Sequence, residues 1–128
     1  IGTVHIPATL WQSLGNSTVH EVTLPIRERA AYLLEDYEHF PADPDHISSL
    51  INELRRIRGN EIVDRWQHQI ATGQWPDFVL SILEHHYDLA YRQPGAEGGN
   101  YPAPSNTVAL PDASPATLRS AATGLLSI

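Results

Sequence analysis

The chain has 128 residues, a formal net charge of −7 and a hydrophobic content of 41%, which fits one domain, or a piece of a larger one, with its own core. It contains no Cys, and all eight basic residues are Arg, so it holds no disulfide, no cysteine nucleophile and no Walker-type phosphate loop, which needs Lys. No apolar run approaches the roughly 20 residues of a membrane span, and no signal peptide is visible. The net negative charge is unusual for a protein that binds nucleic acid by itself.

These features indicate a cytoplasmic protein without a membrane partner. The chain also lacks Met, with which a translation product begins, so we expect it to be part of a longer protein.

The first half of the chain predicts a strand followed by two helices. Val19–Leu24 alternates along its length and is rich in β-branched residues, which is typical of a strand. Arg27–Glu38 is predicted to be a helix because apolar residues recur on one face. That face consists of Ile26, Ala30, Leu33, Leu34 and Tyr37. Asp43 and Pro44 predict the start of the next helix, which Gly59 ends. Its inward face consists of Ile47, Leu50, Ile51 and Leu54.

Three further helices are predicted before the Pro- and Gly-rich segment. A short one covers Ala8–Leu14, near the start of the chain. Asn60 is expected to cap another, which Gly73 closes. Its inward face consists of Ile62, Val63, Trp66 and Ile70. Trp75–Arg92 is predicted to form one long helix, so the chain is expected to be mainly α-helical with two or three short strands. One side of that helix consists of Val79, Ile82, Leu83, His86 and Ala90.

The end of the chain reads as a separate closing segment. Residues 94–106 are rich in Pro and Gly, which predicts a linker between residues 1–93 and residues 107–128. The closing segment should begin with a short strand, Thr107–Leu110, and continue in a helix that starts after Ser114. We expect four apolar side chains of that helix to face inward: Leu118, Ala122, Leu125 and Leu126.

Arginines are the first candidates for binding chemistry. Residues 1–54 carry eight acidic and two basic side chains, whereas Arg55, Arg56 and Arg58 stand together in a locally basic stretch. Guanidinium groups bind phosphate oxygens well, so these three are candidate phosphate contacts, although the residues alone favour a solvated helix end. Arg29 follows a predicted strand, at the position where open α/β sheets bind ligands.

Aromatic and imidazole side chains form the second group of candidates. Tyr87, Asp88 and Tyr91 end the long predicted helix, and the two tyrosines share a face that suits a nucleobase or an isoprenoid chain. Packing against the preceding helix is the alternative. His85 and His86 are adjacent and diverge on a helix, and the seven histidines show no metal-ligand spacing, so we expect no metal site.

The order of these elements over Val19–Gln93 resembles the C-terminal part of tRNA 2-selenouridine synthase. Ile1–Leu14 is similar to that family's Ile-Gly, Ile-Pro and Leu-Trp segment, and Thr107–Leu126 to its closing strand and helix. The family has Pro where this chain has Leu89, which leaves open whether the helix breaks after Asp88. The resemblance implies an α/β fold: the later half of a kinase-like P-loop NTPase domain with a parallel sheet and a helical lid region.

The resemblance also implies an activity. The family is a transferase that replaces sulfur by selenium at wobble 2-thiouridine of tRNA, with selenophosphate as donor and an S-geranylated intermediate made from geranyl diphosphate. An upstream rhodanese-like domain and P-loop segment would supply the catalytic cysteine and the phosphate loop. This chain is then expected to be inactive alone, with no catalytic residue and no cofactor of its own. It would contribute the lid and the substrate walls.

Two other interpretations stay open at this point. The acidity, the amphipathic helices and the absence of a catalytic constellation also fit a non-enzymatic helical interaction module. A lid-bearing piece of another P-loop kinase, such as a small-metabolite kinase, is the third interpretation.

Overall fold

The computed structural model describes residues 7–38, 41–92 and 104–127, apart from the side chains of Trp11, Tyr91 and Arg92. In chain order the elements are α1 (Ala8–Gly15), β1 (His20–Thr23), α2 (Ile26–Asp36), α3 (Pro44–Glu53), α4 (Arg55–Arg58), α5 (Asn60–Ala71), α6 (Trp75–Ile82), a π-helical turn (Leu83–Tyr87), α7 (Asp88–Arg92), β2 (Asn106–Ala109) and α8 (Pro115–Leu126). The chain is thus mainly helical with two parallel strands, which confirms the predicted secondary-structure content.

The hydrophobic core lies among the central helices and is centred on α5. Val63 and Trp66 are fully buried, and the indole Nε1 of Trp66 donates a hydrogen bond to Ser81 Oγ at 3.0 Å, so the ring is buried without an orphan donor. The other buried members of this core are Ala30, Ile51, Ile70, Phe78, Val79 and Leu83. Seven of the eight stand at positions that helical spacing places on an inward face, and Phe78 is the exception.

Helix ends follow local signals in the sequence, with one exception. Asp43 caps α3 by accepting a hydrogen bond from the His46 backbone amide at 3.1 Å, as predicted. Gly59 and Gly73 follow α4 and α5 with φ of 88° and 70°, a left-handed backbone that favours glycine. The prediction that Asn60 caps α5 is wrong, because Asn60 is already the first helical residue and Gly59 occupies the capping position.

The two longest predicted helices contain irregularities that periodicity did not reveal. The helix predicted to run to Gly59 is interrupted at Leu54, which separates α3 from α4. The helix predicted over Trp75–Arg92 runs through that whole range, but Leu83–Tyr87 is wound as a π-helical turn. The chain stays helical from Asp88 to Arg92, so Leu89 does not mark a helix break.

The two strands pair in parallel although they are far apart in sequence. His20 lies opposite Asn106 and Thr23 opposite Ala109. The Leu110 amide extends the ladder by donating to Thr23 O at 2.9 Å. The closing segment therefore docks beside β1, and both strands end at the same edge of the sheet, where α2 and α8 begin.

The closing helix corrects another prediction. No residue of α8 is buried, and Leu118 and Leu126, which were expected to face inward, are 43% and 90% exposed. Periodicity identifies an apolar face, but it does not supply a neighbour to cover that face. Residues 1–6, the start of the Ile1–Leu14 segment that resembles the family, lie outside the described residues, as does most of the linker. Among the described helices, none has the length and apolar character that a membrane crossing requires.

Candidate functional site

A largely apolar cleft of about 560 Å³ lies beside the core, between α2, α3, α6 and the π-helical turn. Clefts of this size and character are typical of small-molecule sites. It is lined by Leu24, Arg29, Tyr32, Leu33, Tyr37, Ile47, Leu50, Ile51, Phe78, Val79, Ile82, Leu83, His86 and Tyr87. We call this space the cleft.

The floor and the rim of the cleft differ in burial. The floor is part of the core, since Ile51, Phe78 and Val79 are buried. The rim carries large apolar side chains that remain exposed: Tyr32 (48%), Tyr37 (37%), Leu50 (47%) and Tyr87 (50%). Tyr37 and Leu50 belong to the faces that were predicted to pack inward, and the structure places them at the open side of the cleft instead. Grouped exposed apolar side chains indicate a binding surface.

Arg29, on α2, is the guanidinium that lines the cleft in the described part of the chain. Its Nη1 and Nη2 donate to the two carboxylate oxygens of Asp88 at 2.8 and 2.6 Å, a bidentate pair in which both side chains are partly buried. The hydrogen bond to the Asp88 carboxylate raises the pKa of Arg29. The pair joins two predicted site residues and fastens α2 to the start of α7.

His86 is a polar group of the cleft that the sequence analysis set aside. Its Nδ1 accepts a hydrogen bond from Arg58 Nε at 3.0 Å, and its carbonyl oxygen accepts from Arg58 Nη2 at 3.3 Å. Burial and the charge of Arg58 lower the pKa of His86, which favours the neutral imidazole. The only signal in the sequence was its place on the apolar face that also holds Val79 and Leu83.

The π-helical turn explains why these groups meet. A π-helical turn has hydrogen bonds between residues five apart instead of four, and such turns occur often at functional sites. Leu83–Tyr87 supplies His86 and Tyr87 to the cleft, and Asp88 follows at once to hold Arg29. His86, the partner of Arg58, and Asp88, the partner of Arg29, therefore lie two residues apart in the chain, although the two arginines belong to different helices.

The other predicted arginines do not converge on one point. Arg55 is engaged by Asp64 at 2.6 Å and by Asn52 at 2.7 Å. Arg58 lies against His86. Arg56 is exposed and makes no ion pair within the residues that the structure describes. The Tyr91 side chain lies outside the described residues, and within the described ranges no group of three or more potential metal ligands is found.

Comparison with family models, with curated proteins and with solved structures gave no match for this chain.

Proposed function

We propose that the chain is part of a tRNA 2-selenouridine synthase and that its cleft holds the geranyl group during the exchange of sulfur for selenium. The observation that carries this proposal is the cleft itself, an apolar space of about 560 Å³ with three tyrosines at its rim. The order of elements over Val19–Gln93, which resembles that family, supports it independently.

The chemistry of the cleft suits a branched hydrocarbon chain. A geranyl group has no polar atom, so its binding free energy comes from apolar surface removed from water, about 0.8 kcal/mol for each buried CH₂. Leu33, Leu50 and Ile82 offer aliphatic walls, and the tyrosine rings add flat surfaces. Both geranyl compounds of the family, geranyl diphosphate and the S-geranylated uridine, carry this chain.

The remaining parts of the activity are assigned to the rest of the enzyme. Two short strands do not form a stable sheet alone, so we propose that β1 and β2 belong to the parallel sheet of a P-loop domain whose other strands come from upstream segments. The upstream rhodanese-like domain would supply the cysteine. Selenophosphate would be the donor and tRNA in the cytoplasm the substrate.

The basic stretch at α4 is the proposed contact for the tRNA backbone. Arg56 and Arg58 have no carboxylate partner among the described residues, so their charges are available to phosphates, whereas Arg55 is shared with Asp64. In this proposal α4 forms part of the lid, and the cleft forms a substrate wall.

A matched pair of variants tests the use of the cleft. Leu50 lines it and is 47% exposed, whereas Ile57, on α4, is 66% exposed and is not among its lining residues. Leu50→Asp places a charge in the cleft without disturbing buried packing, and we expect it to weaken geraniol binding at least about tenfold. Ile57→Asp should leave binding unchanged.

Isothermal titration calorimetry with geraniol makes the comparison directly. Equal affinity of the two variants for geraniol would remove the cleft from the proposal.

A further inference from the structure

The cleft opens between two helices whose main contacts are with other helices. α2 packs mainly against α6, and α3 packs mainly against α5. Tyr32 and Tyr37 from α2 and its C-terminal end, and Leu50 from α3, line the cleft and stay exposed. The two helices therefore form facing walls, and these three apolar side chains stand along the opening, which we call the mouth of the cleft.

Carboxylates border the mouth on both walls. Four of them stand three or four residues from Tyr32 on α2 or three residues from Leu50 on α3. They are Glu28, Glu35, Asp36 and Glu53, which we call the acidic border. Residues three or four apart are neighbours on the surface of a helix, so each of these carboxylates lies beside an exposed apolar side chain of the mouth.

The charge of the acidic border is not neutralised by the chain itself. None of its carboxylates forms an ion pair with a residue that the structure describes. Arg29 lines the cleft but is engaged by Asp88. Arg27 stands five residues from Tyr32 and so lies about 140° away around α2. The mouth is apolar at its centre and negative at its edges, which suits a partner with an apolar centre and positive edges.

The walls of the cleft favour a partner that is already helical. They consist mostly of helical residues, whose backbone groups bond within their own helices, and the polar lining residues Arg29 and His86 are engaged by Asp88 and Arg58. An extended peptide would bring backbone donors and acceptors that find no partner in such a space, which is costly. An amphipathic helix satisfies its own backbone and presents an apolar face, as helices that bind in apolar grooves do.

We propose that the cleft docks an amphipathic helix of a protein partner, whose apolar face enters between α2 and α3 and whose lysine or arginine side chains meet the acidic border. This inference goes beyond the proposed function, because it depends on the shape and charge of the cleft and not on a geranyl group. The two occupants compete for one space, so the partner would also control the access of a hydrocarbon to the cleft.

Three labelled synthetic peptides of about 14 residues, roughly four helical turns, test this docking by fluorescence anisotropy. The lysine peptide carries leucines at the spacing i, i+3, i+4, i+7 and lysines on its other faces. The glutamate peptide replaces every lysine by glutamate, and the reordered peptide has the composition of the lysine peptide without helical spacing. We expect the 128-residue chain to bind the lysine peptide at least about tenfold tighter than either of the others. Added salt should weaken this binding, because it screens the charges.

A pair of double variants tests the acidic border. Asp36→Asn with Glu53→Gln removes two of its charges and should weaken binding of the lysine peptide by about fivefold. Asp45→Asn with Glu61→Gln is the matched control, because it changes the net charge equally at two residues that neither belong to the acidic border nor line the cleft. The control should keep the affinity of the wild type within about twofold, and equal losses in both double variants would contradict a role for the border.

A second pair of variants tests the apolar part of the contact. Leu50→Ala shortens a side chain of the mouth and should weaken binding of the lysine peptide by about fivefold. Ile57→Ala should leave it unchanged, since Ile57 is exposed on α4 and does not line the cleft. Both side chains are exposed, so neither variant removes core packing.

Geraniol separates this inference from the proposed function. We expect geraniol to release the bound lysine peptide, because both need the cleft. If the reordered peptide binds as tightly as the lysine peptide, or if geraniol binds without releasing the lysine peptide, the docking site is overturned and the geranyl site is not. If the lysine peptide binds and Leu50→Ala weakens it while geraniol does not bind, the docking site is supported and the proposed function is overturned.

Discussion

The helices α2 to α7 and the flanking elements α1, β1, β2 and α8 use similar amino acids very differently. The first group, which we call the helical body, encloses a core in which Val63 and Trp66 are fully buried. The second group, the flanking region, buries no residue within its two strands, and every described side chain of α1 and α8 is at least partly exposed. Hydrophobic content alone therefore does not indicate which part of the chain is packed.

This difference shows which apolar side chains the chain covers with its own residues. The body covers most of its apolar faces, and its exposed large apolar side chains lie at the rim of the cleft or are Ile57 and Leu89. The flanking region leaves Leu10, Leu14, Val22, Leu118 and Leu126 exposed. The predictions below test this contrast, beginning with the largest effect.

Removing the central side chain of the body should cost the most stability. Trp66→Ala leaves a cavity at a fully buried position and an unpaired Ser81 hydroxyl, so we expect the free energy of unfolding to fall by about 3–5 kcal/mol. Leu118→Ala, in the flanking region, should cost less than about 1 kcal/mol. Urea unfolding followed by circular dichroism measures both, and similar losses would contradict the proposed contrast.

Acidification should weaken the contact between α4 and the π-helical turn by a smaller amount. Because the pKa of His86 is lowered in the folded protein from its ordinary value of 6.5, the unfolded chain takes up a proton first as pH falls. Stability should therefore be fully present above about pH 6.5, decline below it, and level off once the folded protein is protonated too.

Comparison of two neighbouring histidines isolates this effect. The stability difference between pH 8 and pH 5 should shrink in His86→Asn relative to the wild type. His85→Asn is the control, because the His85 imidazole lies 3.8 Å from Glu84 and not against Arg58. An unchanged difference in His86→Asn would show that this imidazole does not contribute to the pH dependence.

The smallest perturbation, hydrogen exchange without any mutation, should separate the two regions directly. Amides of α5 are expected to exchange only through global unfolding, since α5 carries three buried side chains. Amides of α8 should exchange faster by local opening, because no side chain of α8 is buried. Equal protection of α5 and α8, measured by mass spectrometry, would mean that the flanking region is as firmly held as the body.

The sequence carried more information about the body than about the cleft. Helical spacing located the positions of Ala30, Ile51, Val63 and Trp66 because a core residue needs only the right face. It wrongly predicted that Leu50 and Leu118 face inward, because burial requires that another element packs against that face. That information is not contained in the periodicity of one helix.

The polar groups of the cleft show the same limit. Arg29 and Asp88 were both singled out, but 59 residues separate them and their pairing depends on the packing of α2 against the later helices. His86 was set aside because it diverges from the adjacent His85 on a helix and shows no metal-ligand spacing. Its importance follows from Arg58, 28 residues earlier, which no local pattern connects to it.

The parallel pairing of β1 with β2 has a consequence for the order of folding. Glu21 and its partner Thr107 are 86 residues apart, so forming the strand pair must close a longer loop than the contacts within the body, among which Arg29 and Asp88 are 59 residues apart. Loop-closure entropy delays such distant contacts relative to local ones. The chain should therefore assemble its helices first, and the two strands should come together as a late step on a body that is already formed.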